Sequence, residues 1–202
     1  MRIIIVRHGE TIENKAHISQ GQMPGTLSEE GIVQAQKLAS RLKDERFSAI
    51  YVSDLKRTVD TARPILEHHP QTPVRYEQAL REICRAPFEG GPISELYAFF
   101  AQQLAAGVPN GKIRTAQGES IEEVAKRMMD HYGACHKQHQ DETVLWVTHG
   151  LASAAFICGL LGYSFDRDSI VPYVMGNAGL ALLSAHGSGK PVLDPFNCRK
   201  HL

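Results

Sequence analysis

The chain reads as an α/β fold, a mostly parallel sheet with helices on both faces in three layers. Two observations predict it. Short β-branched apolar runs alternate with longer segments of helical period, the order that parallel crossover connections require. The 202 residues, 43 % apolar and 22 % charged, are enough for one well-buried core and few for two. No linker-like composition divides them, so residues 1–202 read as a single domain.

Arg2 to Val6 is a continuous β-branched run and reads as a buried strand. Ser28 is placed to cap a helix reaching about Lys43, with Glu29 and Glu30 in its first turn. Ala49 to Val52 reads as a second strand. Ser53 is expected to cap the next helix, which passes through Arg57 and Thr61 to about His69, with a kink at Pro64. Val74 to Tyr76 reads as a third strand. Local signals are weak from Ala86 to Gly118, which holds five glycines and three prolines, although Ser94 to Ala106 has helical character. Ser120-Ile121-Glu122-Glu123 forms a capping box, and the pairs Glu122/Lys126 and Glu123/Arg127 support a helix to about His139. Thr143 to Thr148 reads as a strand, Gly150 to Leu161 as a buried core helix, and Gly179 to Ser184 as the last strand.

In a sheet of this kind ligands bind beyond the carboxyl ends of the strands. Three of those ends carry charge-capable residues: Arg7-His8-Gly9, Ser53 with Arg57, and Thr148-His149-Gly150. The set suits phosphoryl transfer. His8 can act as nucleophile, its neutral form favoured by neighbouring arginines. Arg7 and Arg57 supply forked donors for the phosphoryl oxygens. His149, with the helix amino terminus after Gly150, supplies a further donor. Glu82, in Leu80-Arg81-Glu82-Ile83, is the candidate general acid if partial burial raises its pKa.

The blocks Arg7-His8-Gly9-Glu10-Thr11 with Asn14, Leu27-Ser28-Glu29-Glu30-Gly31, and Ser53 through Thr58 resemble the histidine phosphatase superfamily, which includes the cofactor-dependent phosphoglycerate mutases. So do Leu80-Arg81-Glu82-Ile83 with Phe88-Glu89-Gly90, then Gly118-Glu119-Ser120, then Val147-Thr148-His149-Gly150. The resemblance implies a phosphoglycerate mutase-like fold and a phosphohistidine on His8 that water attacks. It implies that Arg7, Arg57, His149 and Asn14 hold the phosphoryl group and that Glu82 protonates the leaving group. Gln20 and Gly21 occupy positions where mutases contact substrate. No metal and no cofactor is implied.

Ala86, Leu151 and Ala154 depart from the family pattern outside the phosphoryl-handling set. The stretch from Glu89 to Glu119 offers only Lys112 and Arg114 in place of a mutase's arginine-bearing insertion. The expected activity is therefore a metal-independent phosphomonoesterase acting on a small phosphate ester. A phosphoglycerate-type mutase and a non-catalytic phospho-ligand binding module are the alternatives.

Lys plus Arg and Asp plus Glu are equal at 22 each, so no global basic field suggests a nucleic-acid partner. No apolar stretch is long enough to suggest a membrane. The scattered Cys84, Cys135, Cys158 and Cys198 read as free thiols in a reducing cytoplasm. Oligomeric state is not encoded legibly. Arg81 and Arg85 flank the acid and read as substrate-anion contacts or as solvated surface charge. Lys56 and Arg63 read as exposed. His131, Cys135 and His139 share one helical stripe, read as a polar surface face rather than a metal site.

Overall fold

The computed structural model describes residues 1–185 and 191–202. Six strands form one sheet: β1 (Arg2–Arg7), β2 (Ala49–Val52), β3 (Val74–Tyr76), β4 (Thr143–Thr148), β5 (Leu180–Ser184) and β6 (Val192–Leu193). Their spatial order is β3-β2-β4-β1-β5-β6. The first four neighbours run parallel, while β5 is antiparallel to β1 and β6 to β5.

The helices are α1 (Ile12–Lys15), α2 (Glu29–Leu42), α3 (Lys56–His68), α4 (Ile93–Ala105), α5 (Ile121–Gln138), α6 (Gly150–Leu161) and α7 (Arg167–Ile170). Strand side chains alternate between faces, so β1 feeds two cores. Ile3 and Ile5 pack with Tyr51, Val144 and Trp146 against Met128 of α5 and Phe156 of α6. Ile4 and Val6 pack with Ile50, Val52, Leu145 and Val147 against Leu38 of α2 and Ile65 of α3. These are the three expected layers.

Several local expectations need correcting. The strand expected to be last, β5, is followed by β6, and it is antiparallel because α6 ends at left-handed Gly162 and the chain returns to the carboxyl end of the sheet before β5 begins. There Gly179 accepts the Arg7 amide, and Leu180 pairs with Val6. Helix α3 starts at Lys56 behind Leu55, without a side-chain cap, so Ser53 is not its N-cap. The helix continues through Pro64. On α5 the capping box of Ser120 and Glu123 forms, but Arg127 turns to Glu119 with a two-pronged contact at 2.8 and 3.1 Å, and Glu123 meets Arg114. An exposed i,i+4 pair is worth only a few tenths of a kcal/mol, so a forked, half-buried partner prevails. The His131-Cys135-His139 stripe points inward. Cys135 and His139 are buried, and His131 packs between Tyr51 and Trp146. No group of three metal-capable side chains occurs among the described residues. Lys56 and Arg63 are exposed, as expected, and both meet Asp60.

Candidate active site

The register of the sheet sets the site. Arg7 lies opposite Thr148, and Val52 opposite Val147, so His8, Ser53 and His149 leave adjacent strands side by side. The ladder extends one step beyond the strands, with the His8 amide donating to Thr148 and the Ser53 amide to Val147.

His8 is buried, and its Nδ1 lies 2.8 Å from the Gly9 carbonyl oxygen, which fixes the proton there and leaves the Nε2 lone pair free. Burial, then the charges of Arg57 and Arg7, hold its pKa well below 6.5. The His149 ring stands 5.2 Å away, fully buried, and its pKa is likewise held well below 6.5 by burial, Arg57 and His8. Its Nε2 meets the Ser53 hydroxyl at 2.8 Å. The Leu55 amide also approaches that hydroxyl oxygen as a donor, at 3.5 Å. With the Ser53 hydroxyl donating to Nε2, the imidazole proton is on Nδ1, which is buried without a partner.

The two arginines are held by backbone. Arg57 donates Nη1 to Met23 (2.5 Å) and Nη2 to Gly21 (2.8 Å), and Arg7 donates Nη1 to Met175 (2.6 Å). Burial lowers the pKa of Arg57 to about 10 and lowers that of Arg7, leaving both charged at neutral pH. The Nε of each is buried and unpartnered. Gly150 is needed beside Arg7, because a Cβ there would stand 3.1 Å from the guanidinium carbon. Gly9 is needed because a Cβ would approach the Gly31 carbonyl oxygen to 2.6 Å.

Glu82 sits differently from expectation. Its carboxylate is not in an apolar pocket but accepts the amides of Ile83 (3.0 Å), Ala152 (2.9 Å) and Leu151 (3.1 Å). The first amides of α6, expected to meet phosphate, thus hold Glu82, because helix amino termini carry orphan donors that a carboxylate satisfies. Asn14 accepts from Thr11 and Asn177 through Oδ1, each at 3.2 Å. The Gln20 side chain is buried and accepts from Thr11 (3.1 Å). Gly21, at φ +49°, contributes its carbonyl to Arg57. These bonds tie Gln20 to the loop after His8 and Gly21 to Arg57.

The histidine phosphatase superfamily (branch 1) model matches residues 3–198. The chain belongs to the histidine phosphatase superfamily. A metal-independent phosphoserine phosphatase of Arabidopsis thaliana is 39 % identical over 159 residues, covering 73 % of this chain and 63 % of that protein. A probable phosphoglycerate mutase of Erwinia tasmaniensis is 33 % identical over 165 residues, covering 80 % and 75 %. A mycobacterial glucosyl-3-phosphoglycerate phosphatase superposes with a TM-score of 0.84 at 30 % identity, covering 97 % and 98 %.

Within this superfamily member several residues around the site escaped the sequence reading. Gln22 donates to the Glu82 carbonyl (3.1 Å) and to Glu119 (3.3 Å). Arg127 donates to the same Glu82 carbonyl and to Glu119. Burial opposes the Glu119 carboxylate, but Arg127 outweighs it and lowers its pKa. Glu89 accepts the amides of Gln22 (2.9 Å) and Arg85 (2.8 Å), tying two loops together. Arg81 is spent on Asp54, at 2.6 Å through each of two nitrogens. Arg85, far from solvated, is 6 % exposed.

Proposed function

We propose that this chain is a metal-independent phosphomonoesterase working through a phosphohistidine on His8, within one domain spanning residues 1–202. The observation that carries the reading is a set of three buried nitrogens without partners, Arg7 Nε, Arg57 Nε and His149 Nδ1, on the two arginines whose charges act on His8 and on the ring 5.2 Å from it. A buried donor without an acceptor costs about 1–3 kcal/mol, more when charged. A tetrahedral dianion would satisfy all three at once.

Nε2 of His8 attacks phosphorus in line with the ester oxygen. The P–N bond forms as the P–O bond breaks, and Glu82 gives the departing alkoxide its proton. Water then enters opposite Nε2 and loses a proton to Glu82. The P–N bond breaks, leaving His8 neutral and phosphate free. Arg7, Arg57 and His149 hold the equatorial oxygens through both steps, the task a magnesium ion performs in other phosphoryl-transfer sites. Asn14, tethered by Thr11 and Asn177, completes the pocket. Gln20 and Gly21 lie on the substrate side of this reading, with the Gly21 carbonyl also anchoring Arg57.

The substrate in this reading is a small phosphate ester, in keeping with the phosphoserine and glucosyl-phosphoglycerate phosphatases among the relatives. No helix of the described residues is long and apolar enough to cross a membrane. A cytoplasmic location is part of the proposal and rests on the four free cysteines.

The test is a brief reaction with a labelled phosphate monoester in chelator. The expected result is phosphate release and an acid-labile phosphoryl group mapped to His8, both abolished in His8→Ala. Turnover by His8→Ala at the wild-type rate would refute it. Isomer exchange of a phosphosugar acid without phosphate release would replace it with a mutase. Tight ester binding with no release over hours would leave only a binding module.

A further inference from the structure

Arg85 is the one buried guanidinium that the phosphoryl chemistry above does not use. It lies three residues beyond Glu82, so its Cα is within about 11 Å of the acid's. It is 6 % exposed, and its Nη1 is buried with no hydrogen-bond partner among the described residues. Its guanidinium carbon lies 4.6 Å from the centroid of the Phe100 ring. Phe99, beside Phe100, in turn packs on Phe88 at 5.2 Å. The backbone around Arg85 is held rigidly, with its amide on Glu89 and its carbonyl accepting from Phe88.

Arg81, the other arginine of this segment, is different, being closed by Asp54 and Gln22. Burial lowers the pKa of Arg85 to about 10, so it is charged at neutral pH. Glu82 is the strongest counter-charge acting on Arg7, on Arg57 and on Arg85 alike. The acid of the proposed reaction therefore acts electrostatically on the phosphate arginines and on this third one. Glu119 and Glu89 add further negative charge around Arg85. That acidic surround favours a singly charged ligand over a second phosphate.

We infer that Arg85 binds a carboxylate carried by the leaving group of the substrate, and so selects phosphate esters of small hydroxy acids. The inference rests on the phosphatase reading. The Phe100 ring supports the guanidinium, and a carboxylate would satisfy the unpartnered Nη1.

The test compares phosphate release from 3-phosphoglycerate and glycerol 3-phosphate, which differ in one carboxylate. The wild type is expected to favour 3-phosphoglycerate about 10- to 100-fold in kcat/KM, the range of one charge-assisted hydrogen bond. Arg85→Met should erase that preference, mainly through KM, and leave glycerol 3-phosphate within about threefold. Arg85→Lys should restore part of it. Equal wild-type rates on the two esters overturn the assignment, as does an equal loss on both in Arg85→Met. If Arg85→Met does not fold, Arg85→Lys decides: a raised KM for 3-phosphoglycerate alone supports the assignment, and no change on either ester overturns it. A wild type that releases no phosphate from these esters or from 4-nitrophenyl phosphate defeats the phosphatase reading itself, and this inference with it.

Discussion

The burial that keeps His8 neutral should make the fold sensitive to mild acid. His8 and His149 have pKa values held well below 6.5 by burial and by the arginines, and burial brings His131 to about 4. In the unfolded chain each titrates near 6.5. As pH falls through that value the unfolded state takes up protons that the folded state refuses, so stability present above 6.5 is lost on acidification. The size follows without knowing how low the folded values lie. Once they are far below the assay pH, each group costs RT ln(1 + 10^(6.5 − pH)), or about 1.4 kcal/mol at pH 5.5. His8 and His149 together then cost about 3 kcal/mol, and the less buried His131 adds up to about 1 kcal/mol after discounting for solvent. Against a typical total of about 5–15 kcal/mol this is a large fraction.

The assay is urea unfolding at pH 7.5 and pH 5.5 in phosphate-free buffer, with thermal melts alongside. A fall of about 3–4 kcal/mol is expected, or roughly 10 °C in Tm for a chain of this length. Glu119 and Asp54, whose pKa values lie below the ordinary range, lose their contribution only in stronger acid, so this window isolates the histidines. His8→Asn and His149→Asn should each flatten the slope by about one proton. A wild-type fall below about 1 kcal/mol, or an unchanged slope in both variants, would refute the reasoning that these rings are buried neutral.

Three further outcomes follow from the site geometry. Glu82→Gln should lower kcat on an alkyl phosphate by about 10²–10⁴-fold and spare an activated aryl phosphate, whose leaving group hardly needs a proton; equal losses on both esters in steady-state assays would remove the acid role. Gly150→Ala places a Cβ 3.1 Å from the Arg7 guanidinium carbon, so kcat/KM should fall about 10-fold or more while the melting temperature holds or rises, since alanine is the better helix former by about 1 kcal/mol. Ser53→Ala leaves His149 without its 2.8 Å partner in a fully buried place, which should cost about 1–3 kcal/mol in urea unfolding and lower kcat as the ring loses its tautomer, whereas Ser53→Thr should recover much of both.

What could be read beforehand follows the range of the physics involved. Strands β1, β2 and β4 are short β-branched runs, and the polar residues ending them are visible because period and polarity change at one residue. Arg7, His8, Arg57 and His149 were therefore legible. Ser53 was misassigned because a serine ahead of a helix is the ordinary N-cap signal; its bond to His149 spans 96 positions. Arg127 looked like half of an i,i+4 pair, and only the fold brings Glu119 and the Glu82 carbonyl to it. The surroundings of Glu82 come from amides about 70 positions away, so no local pattern announces them. Strand direction is likewise absent from local sequence, and β5 reverses because of where α6 stops.

The pocket has two walls built on different anchors. On the phosphate side, Arg7 and Arg57 donate to the carbonyls of Met175, Met23 and Gly21, which fix the guanidinium planes without consuming their charge. A lysine could not do this, since only a rigid fork can lock onto backbone and still present a further N–H. On the leaving-group side the anchors are carboxylates: Glu89 holds the Gln22 and Arg85 amides, while Glu119 holds Arg127, Gln22 and the Cys84 amide. The first wall gathers the charges of Arg7 and Arg57 beside His8, while the second sets Arg85 and Arg127 among Glu82, Glu89 and Glu119. In the proposed reaction the phosphoryl dianion is therefore drawn to the first wall, and the more nearly balanced second wall is left to the leaving group and to Arg85.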